Sequence, residues 1–228
     1  MQTFNIFPTT VYVGEVTEHE KHKEEFYKVY PKFDYEETWQ DNTVSENLGN
    51  PFIHLEDNLN PLFEKIAAHA KVYTCEVLGY KDIFNYVITK TWLSRARKPV
   101  NEIRWHIHST SHISFVYYVN VPPNSHCLEF ENTMSKNDLF KGMLVQDDNP
   151  DRTMVQQYNP LNAETFYLKP PEGSVAIFPS MMCHHTRFNG GEFEGERLAI
   201  VGDITLMLKE DQLHYSMGYI DNKYWKKY

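Results

Sequence analysis

Ile83-Phe-Asn-Tyr-Val-Ile-Thr-Lys-Thr-Trp-Leu93, Glu102-Ile-Arg-Trp-His-Ile-His108 and Ile113-Ser-Phe-Val-Tyr-Tyr-Val-Asn-Val121 follow one another, separated by an Arg/Lys-Pro turn and a Ser/Thr turn. β-branched and aromatic residues dominate these runs, and such side chains pack well on a pleated, half-buried surface. After a Pro-Pro-Asn-Ser turn comes Cys127-Leu-Glu-Phe-Glu131, and further strand-like runs lie at 163–168, 175–178 and 197–208. Many short strands with regular turn signals predict a β-sandwich or barrel core. The second run also carries chemistry. Residues i and i+2 of a strand point to one face, so His106 and His108 can converge on a single ion.

Towards the N-terminus the pattern is different. Residues 4–16 break at Pro8-Thr-Thr10 and then alternate β-branched residues, which predicts a first strand. Residues 18–30 form a charged surface helix ended by Pro31, and the polar stretch from Asp34 to Pro51 reads as loop. A second helix starts at Asn60-Pro61, with Asn60 as the cap and Pro61 in the first turn. It carries Leu62, Ile66, His69, Ala70 and Tyr73 at helical spacing until Gly79. The segment 132–160 is Asp-rich and weakly patterned, a long connection that suits a lid. The expected architecture is mainly β with N-terminal helices. It forms a single domain over 1–228: a strand and helical extension (1–82), a β core (83–210) and a tail (211–228).

Composition narrows the function classes. With 22 basic and 31 acidic residues the net charge is -9, so broad attraction to phosphate backbones is absent and extensive nucleic-acid binding is not expected. The clusters Arg95-Ala-Arg97-Lys98 and Lys223-Tyr-Trp-Lys226-Lys227-Tyr228 read as solvated loop and terminus. Three cysteines, Cys75, Cys127 and Cys183, do not make a disulfide framework. No signal peptide and no apolar run long enough to span a bilayer is visible. A reducing cytoplasm is the expected compartment, and homo-oligomerisation stays open.

A third imidazole for the His106–His108 pair can come from His184 or His185, of which only one can face a given side of an extended strand. The competing reading makes these histidines packing residues; paired spacing and a second histidine pair weigh against it. His112 reads as a polar turn residue. Arg197 follows on the next expected strand, and its fork of donors suits a carboxylate. A surface salt bridge to Glu194 or Glu196 is the alternative, and Arg187 is a rival carboxylate binder. Three imidazoles suit iron, zinc, copper or nickel, so ligand type alone does not identify the ion. Trp92, Trp105 and Arg95 are candidate substrate contacts, with core packing the preferred role for both tryptophans.

The run His106-Ile-His108-Ser-Thr-Ser-His-Ile-Ser114-Phe-Val-Tyr-Tyr118-Val resembles the HxHxxSxxSGVYY stretch of a family of 2-oxoglutarate- and iron(II)-dependent oxygenases of phages and marine bacteria. Phe178-Pro179-Ser180-Met-Met-Cys-His184 is similar to that family's FPSWLxH, Glu196-Arg197-Leu-Ala-Ile to its ERxxI, and Ile6-Phe-Pro-Thr-Thr-Val-Tyr12 to its LFPTPVY start. The resemblance implies a double-stranded β-helix, also called a jelly roll and shared with cupins. It implies His106 and His184 as iron ligands with His108 as the third, and Arg197 on the distal carboxylate of 2-oxoglutarate. Tyr118 is similar to a tyrosine that helps bind 2-oxoglutarate in related prolyl hydroxylases. Phe115 stands where the family has Gly, Met181-Met182 where it has Trp-Leu, and Thr110, Ser111 and His112 where it has an asparagine. These departures bear on pocket shape.

The expected function is that of a dioxygenase using iron(II), 2-oxoglutarate and dioxygen to hydroxylate an unidentified protein side chain, amino acid or nucleotide, releasing succinate and CO2. One alternative is a cupin-like metal-binding protein or a dioxygenase without a 2-oxo acid, though no Asp or Glu lies between His106 and Cys127 to supply a cupin's carboxylate. A non-enzymatic protein on the same fold is the other.

Overall fold

The computed structural model describes residues 2–3, 5, 8–33, 43–44, 52–97, 99, 102–133, 156–188, 190–214 and 218–228. Its strands are β1 (Tyr12–Glu15), β2 (Thr43–Val44), β3 (Phe84–Ala96), β4 (Ile113–Asn120), β5 (Cys127–Glu131), β6 (Thr165–Leu168), β7 (Ser174–Pro179), β8 (His184–Arg187) and β9 (Arg197–Leu208). Helix α1 (His19–Val29) precedes β2 and α2 (Asn60–Lys71) follows it. Every strand pair is antiparallel, in a six-stranded sheet ordered β1-β7-β4-β9-β3-β2 and a three-stranded sheet ordered β6-β5-β8.

The helices end where chemistry dictates. Pro31 has no N–H to continue α1, and the chain tightens into a 3-10 turn over Tyr30–Lys32. α2 runs on into a π-helical turn, Val72–Val77. Pro61 occupies its first turn as expected, but Asn60 does not cap: Leu59 holds that position and no side chain caps the helix. Among the described residues no helix is long and apolar enough to cross a membrane.

Both faces of the large sheet are covered, which explains why β4 and β9 read as near-continuous apolar runs rather than alternating ones. Phe115, Tyr117 and Val119 of β4, with Leu198, Ile200 and Ile204 of β9, pack against Phe26, Leu62, Ile66 and Tyr73 of the helical layer. Each such fully buried side chain contributes about 1.5–3 kcal/mol. The intervening residues Val116, Tyr118, Ala199 and Val201 face the small sheet and meet Leu128 and Phe130 of β5. A bulge between Ile88 and Lys90 changes which residues of β3 face each side. Before it Tyr86 and Ile88 pack towards the helices; after it Leu93 does, while Trp92 joins the inter-sheet core.

Two expectations need correction. Glu102–His108 is not a regular strand. It lies antiparallel beside β8 with the isolated bridge His106↔His184. Further out the pairing is irregular, Ile103 O accepting from the Thr186 N–H at 3.3 Å while the Ile103 N–H donates to the Thr186 hydroxyl at 2.8 Å rather than to a ladder carbonyl. Nor is the Arg95 cluster a solvated loop. Arg95 and Ala96 end β3 and are buried, with Arg95 donating to the Tyr30 hydroxyl at 3.2 Å and Glu196 nearby at 3.8 Å; Arg97 is exposed and pairs with Glu196 at 2.5 Å. Most of the loop expected at Asp34–Pro51 and of the lid expected at 132–160 lies outside the described residues, as does Lys98.

Candidate functional site

The bridge that spoils the strand also builds the site. His106 and His184 stand directly opposite one another, exchanging both backbone bonds at 3.0 Å, so their side chains share a face. His108 N–H donates to Ser180 O at 2.8 Å, which anchors the next residue of that face. The three rings lie 4.3 to 5.1 Å apart by centroid, and one nitrogen from each falls within 4.8 Å of the others.

Hydrogen bonds orient all three rings alike. His106 Nδ1 donates to Arg104 O and His184 Nδ1 to Met182 O, both at 2.8 Å; a carbonyl can only accept, which assigns the proton to Nδ1. His108 Nδ1 donates to Asp203 Oδ1 at 2.6 Å. Each Nε2 therefore presents a lone pair, and His108 Nε2 is buried with no hydrogen-bond partner. Burial, reinforced by His106, pushes His184 down to about 3, and burial lowers His106 too. Three neutral imidazoles with converging lone pairs fit a transition-metal ion, since a ligand nitrogen must be unprotonated.

Asp203 escaped the sequence reading. It is buried beside His108, and the Ser114 hydroxyl lies 2.9 Å from His108 Nδ1 and donates to Asp203 at 3.1 Å. Its signal was available: positions 197, 199, 201 and 203 of one strand share a face, so a residue on Arg197's side recurs at 203. The register Ser114↔Asp203 then brings β4 to the same spot.

Arg197 is 1% exposed and opens into the same cavity. It forms no ion pair among the described residues, because Glu196 binds Arg97 and the Tyr30 hydroxyl instead. Its Nε and the Tyr118 hydroxyl are buried without hydrogen-bond partners, and the guanidinium carbon stands 5.2 Å from the Tyr118 ring centroid. Burial pushes the Tyr118 phenol up to about 12. A buried cation that forms no ion pair among the described residues, set beside a buried hydroxyl on which its charge acts, fits a carboxylate. Arg187, the rival, is exposed and pairs with Glu129 at 3.3 Å. His112 is an exposed turn residue against Tyr219.

The cavity shared by the three histidines, Asp203 and Arg197 measures about 380 Å3, and Trp92, Ser94, Ile103, Ile107 and Thr110 also line it. Trp92 is buried as expected, but Trp105 is not a core residue: it is 42% exposed and stacks on His185, which points away from the three-histidine cluster.

A family model described as "Putative 2OG-Fe(II) oxygenase" matches residues 90–203, half of the chain. No curated protein sequence matches. Among solved structures, HygX from Streptomyces hygroscopicus with nickel and 2-oxoglutarate bound is similar at TM-score 0.54 and 13% identity, covering 93% of this chain and 92% of that one. The non-heme alpha ketoglutarate dependent epimerase SnoN from nogalamycin biosynthesis gives 0.53 and 13%, with 86% and 78% covered. AviO1 from Streptomyces viridochromogenes gives 0.51 and 15%, with 86% and 90% covered. At such identities the likeness is one of fold, and the fold is the jelly roll.

Proposed function

The chain belongs to the 2OG-Fe(II) oxygenase family and is an enzyme of that class, using iron(II) and 2-oxoglutarate with dioxygen; on that footing we propose that His106, His108 and His184 hold the iron and Arg197 the distal carboxylate of 2-oxoglutarate. The observation that carries this assignment is the meeting, in one cavity, of three oriented imidazoles and a buried arginine without an ion-pair partner among the described residues. Bound iron supplies the redox chemistry that couples decarboxylation of the 2-oxo acid to oxidation of a C–H bond.

The protein's own residues do the rest. Asp203, Met182 O and Arg104 O hold the three imidazoles in one tautomer, so that none must lose a ring proton to bind metal. Arg197 fixes the co-substrate's orientation through its fork of donors, and Tyr118 supplies a hydroxyl that burial keeps protonated at neutral pH. Trp92, Val116, Leu128 and Val201 give the cavity apolar walls that exclude water from the reacting groups. The reaction is hydroxylation of a protein side chain, an amino acid or a nucleotide, with release of succinate and CO2, and residues 1–228 act as one domain. The alternative of a dioxygenase without a 2-oxo acid leaves the buried Arg197 with no anion to bind.

Anaerobic loading with iron(II) and titration with 2-oxoglutarate tests the assignment through the metal-to-ligand absorption band. The band is expected in the wild type and is lost in a His106→Ala, His184→Ala double variant. In Arg197→Ala it needs about 10- to 100-fold more 2-oxoglutarate, the worth of a charge-assisted hydrogen-bonded pair. No band in the wild type, and no succinate above background in air, sinks the reading.

A further inference from the structure

Resting on the assignment of His106 and His184 as ligands, we propose that Trp105, His185 and Glu129 form a register lock on the opposite face of the small sheet, positioning residues that keep His106 across from His184. The stretch 102–108 needs such a device. It has the bridge His106↔His184 but no regular ladder on either side, only the single bonds from Thr186 N–H to Ile103 O at 3.3 Å and from His108 N–H to Ser180 O at 2.8 Å, and a stretch with so few backbone bonds is weakly specified in register. A slip by one residue would turn His106 and His108 outward and bring Trp105 and Ile107 to the metal face.

The geometry of the lock follows from the bridge itself. One step along the antiparallel pair sets Trp105 opposite His185, on the reverse face. Their rings stack at 3.8 Å and 20°. His185 Nε2 donates to Glu129 Oε2 at 2.6 Å, and Glu129 is its registered partner on β5. Glu129 is almost wholly buried; it accepts from the Thr165 hydroxyl of β6 at 2.6 Å and from Arg187 at 3.3 Å. A transverse row, Thr165, Glu129, His185, Trp105, thus crosses β6, β5, β8 and the 102–108 stretch. Its inner end clamps the segment that carries two of the three imidazoles. This gives the second histidine of the His184-His185 pair a role outside the metal site.

Amide hydrogen exchange in the metal-free protein tests the lock directly, and nickel(II) affinity tests its consequence. In Trp105→Ala and His185→Ala the amides of His106 and His184 are expected to exchange about 2- to 10-fold faster, the worth of an aromatic pair, with nickel affinity falling by a similar factor. His185→Phe, which keeps a stacking ring without the bond to Glu129, should recover most of both, and Glu129→Gln should fall between. If the alanine variants do not fold, Trp105→Leu and His185→Leu keep bulk without stacking and give the same contrast. Unchanged protection of both amides in the variants, or failure of His185→Phe to recover it, overturns the proposal. The exchange measurement stands whether or not the wild type binds nickel, so a wild type without nickel affinity overturns the ligand assignment alone.

Discussion

Asp203 changes what the second histidine of His106-Ile-His108 means. A site of three neutral imidazoles is one unit more positive than the two-histidine, one-carboxylate set common in iron oxygenases. Here a carboxylate stands directly behind His108, bonded to its Nδ1 at 2.6 Å, so the negative charge is displaced by one ring rather than lost. Asp203→Asn keeps the volume and removes that charge. It is expected to weaken metal binding by about 10- to 100-fold, measured by competition titration, while the far-ultraviolet circular dichroism stays that of the wild type. Equal affinity in the two proteins would reduce Asp203 to a packing role. That His106 and His108 share a face was legible in the sequence because alternation on an extended stretch is a strong rule, whereas the choice of His184 over His185 came only from the family resemblance. Alternation along β9 put Asp203 on Arg197's face, but its link to His108 was not legible, because it depends on how the neighbouring segments lie in register against β9, which no local pattern encodes.

At the scale of elements, β1, β3, β4, β5, β6, β7 and β9 were legible as β-branched and aromatic runs between turn signals, whereas the bulge at Thr89 was not. Counting alternation from Tyr86 and Ile88 would send Trp92 towards the helices; the extra residue sends it to the cavity instead. The polar attachment of α1 was equally hidden, since much of it converges on one distant side chain, beside the buried Phe26 and Val29 and the bonds from His19 to Tyr117 and from Lys23 to Asn120. Glu172, in the turn before β7, accepts from Lys23 of α1, from the Val121 N–H at 2.9 Å and from His19 at 3.3 Å. Burial raises its carboxyl, but these partners outweigh it and the net position is below the ordinary carboxylate range. A depressed folded value contributes stability that is full above the unfolded value of about 4.3 and fades as pH falls through the folded one. Glu172→Gln is therefore expected to lower Tm near pH 7, by the equivalent of about 1 kcal/mol or less for a partly exposed pair. The gap from wild type should close below about pH 4. A gap that stays constant with pH would show that the bonds matter and the charge does not.

Across the whole molecule, the cavity joins the two sheets: Trp92, Val116, Arg197 and Asp203 come from the large one, Leu128, His184 and Thr186 from the small one. Ligands bridging them bind the folded chain and not the unfolded one, so they stabilise by mass action, by about 2.7 kcal/mol at one hundred times Kd. Nickel(II) and 2-oxoglutarate together are expected to raise Tm in the wild type and to leave the His106→Ala, His184→Ala variant unmoved; equal shifts in both would place binding elsewhere. The acidic balance of -9 keeps long nucleic acids from being drawn in by charge alone. The large sheet, covered on both sides, has a consequence for how such a chain can diverge. Phe115 and Ile200 are answerable to the helices, while their neighbours Val116 and Val201 are answerable to the inter-sheet core and the cavity. Mutation at one set of alternating positions can redraw what the pocket admits while the other set goes on holding the scaffold, so new substrates are within reach of single changes that inherit an intact fold.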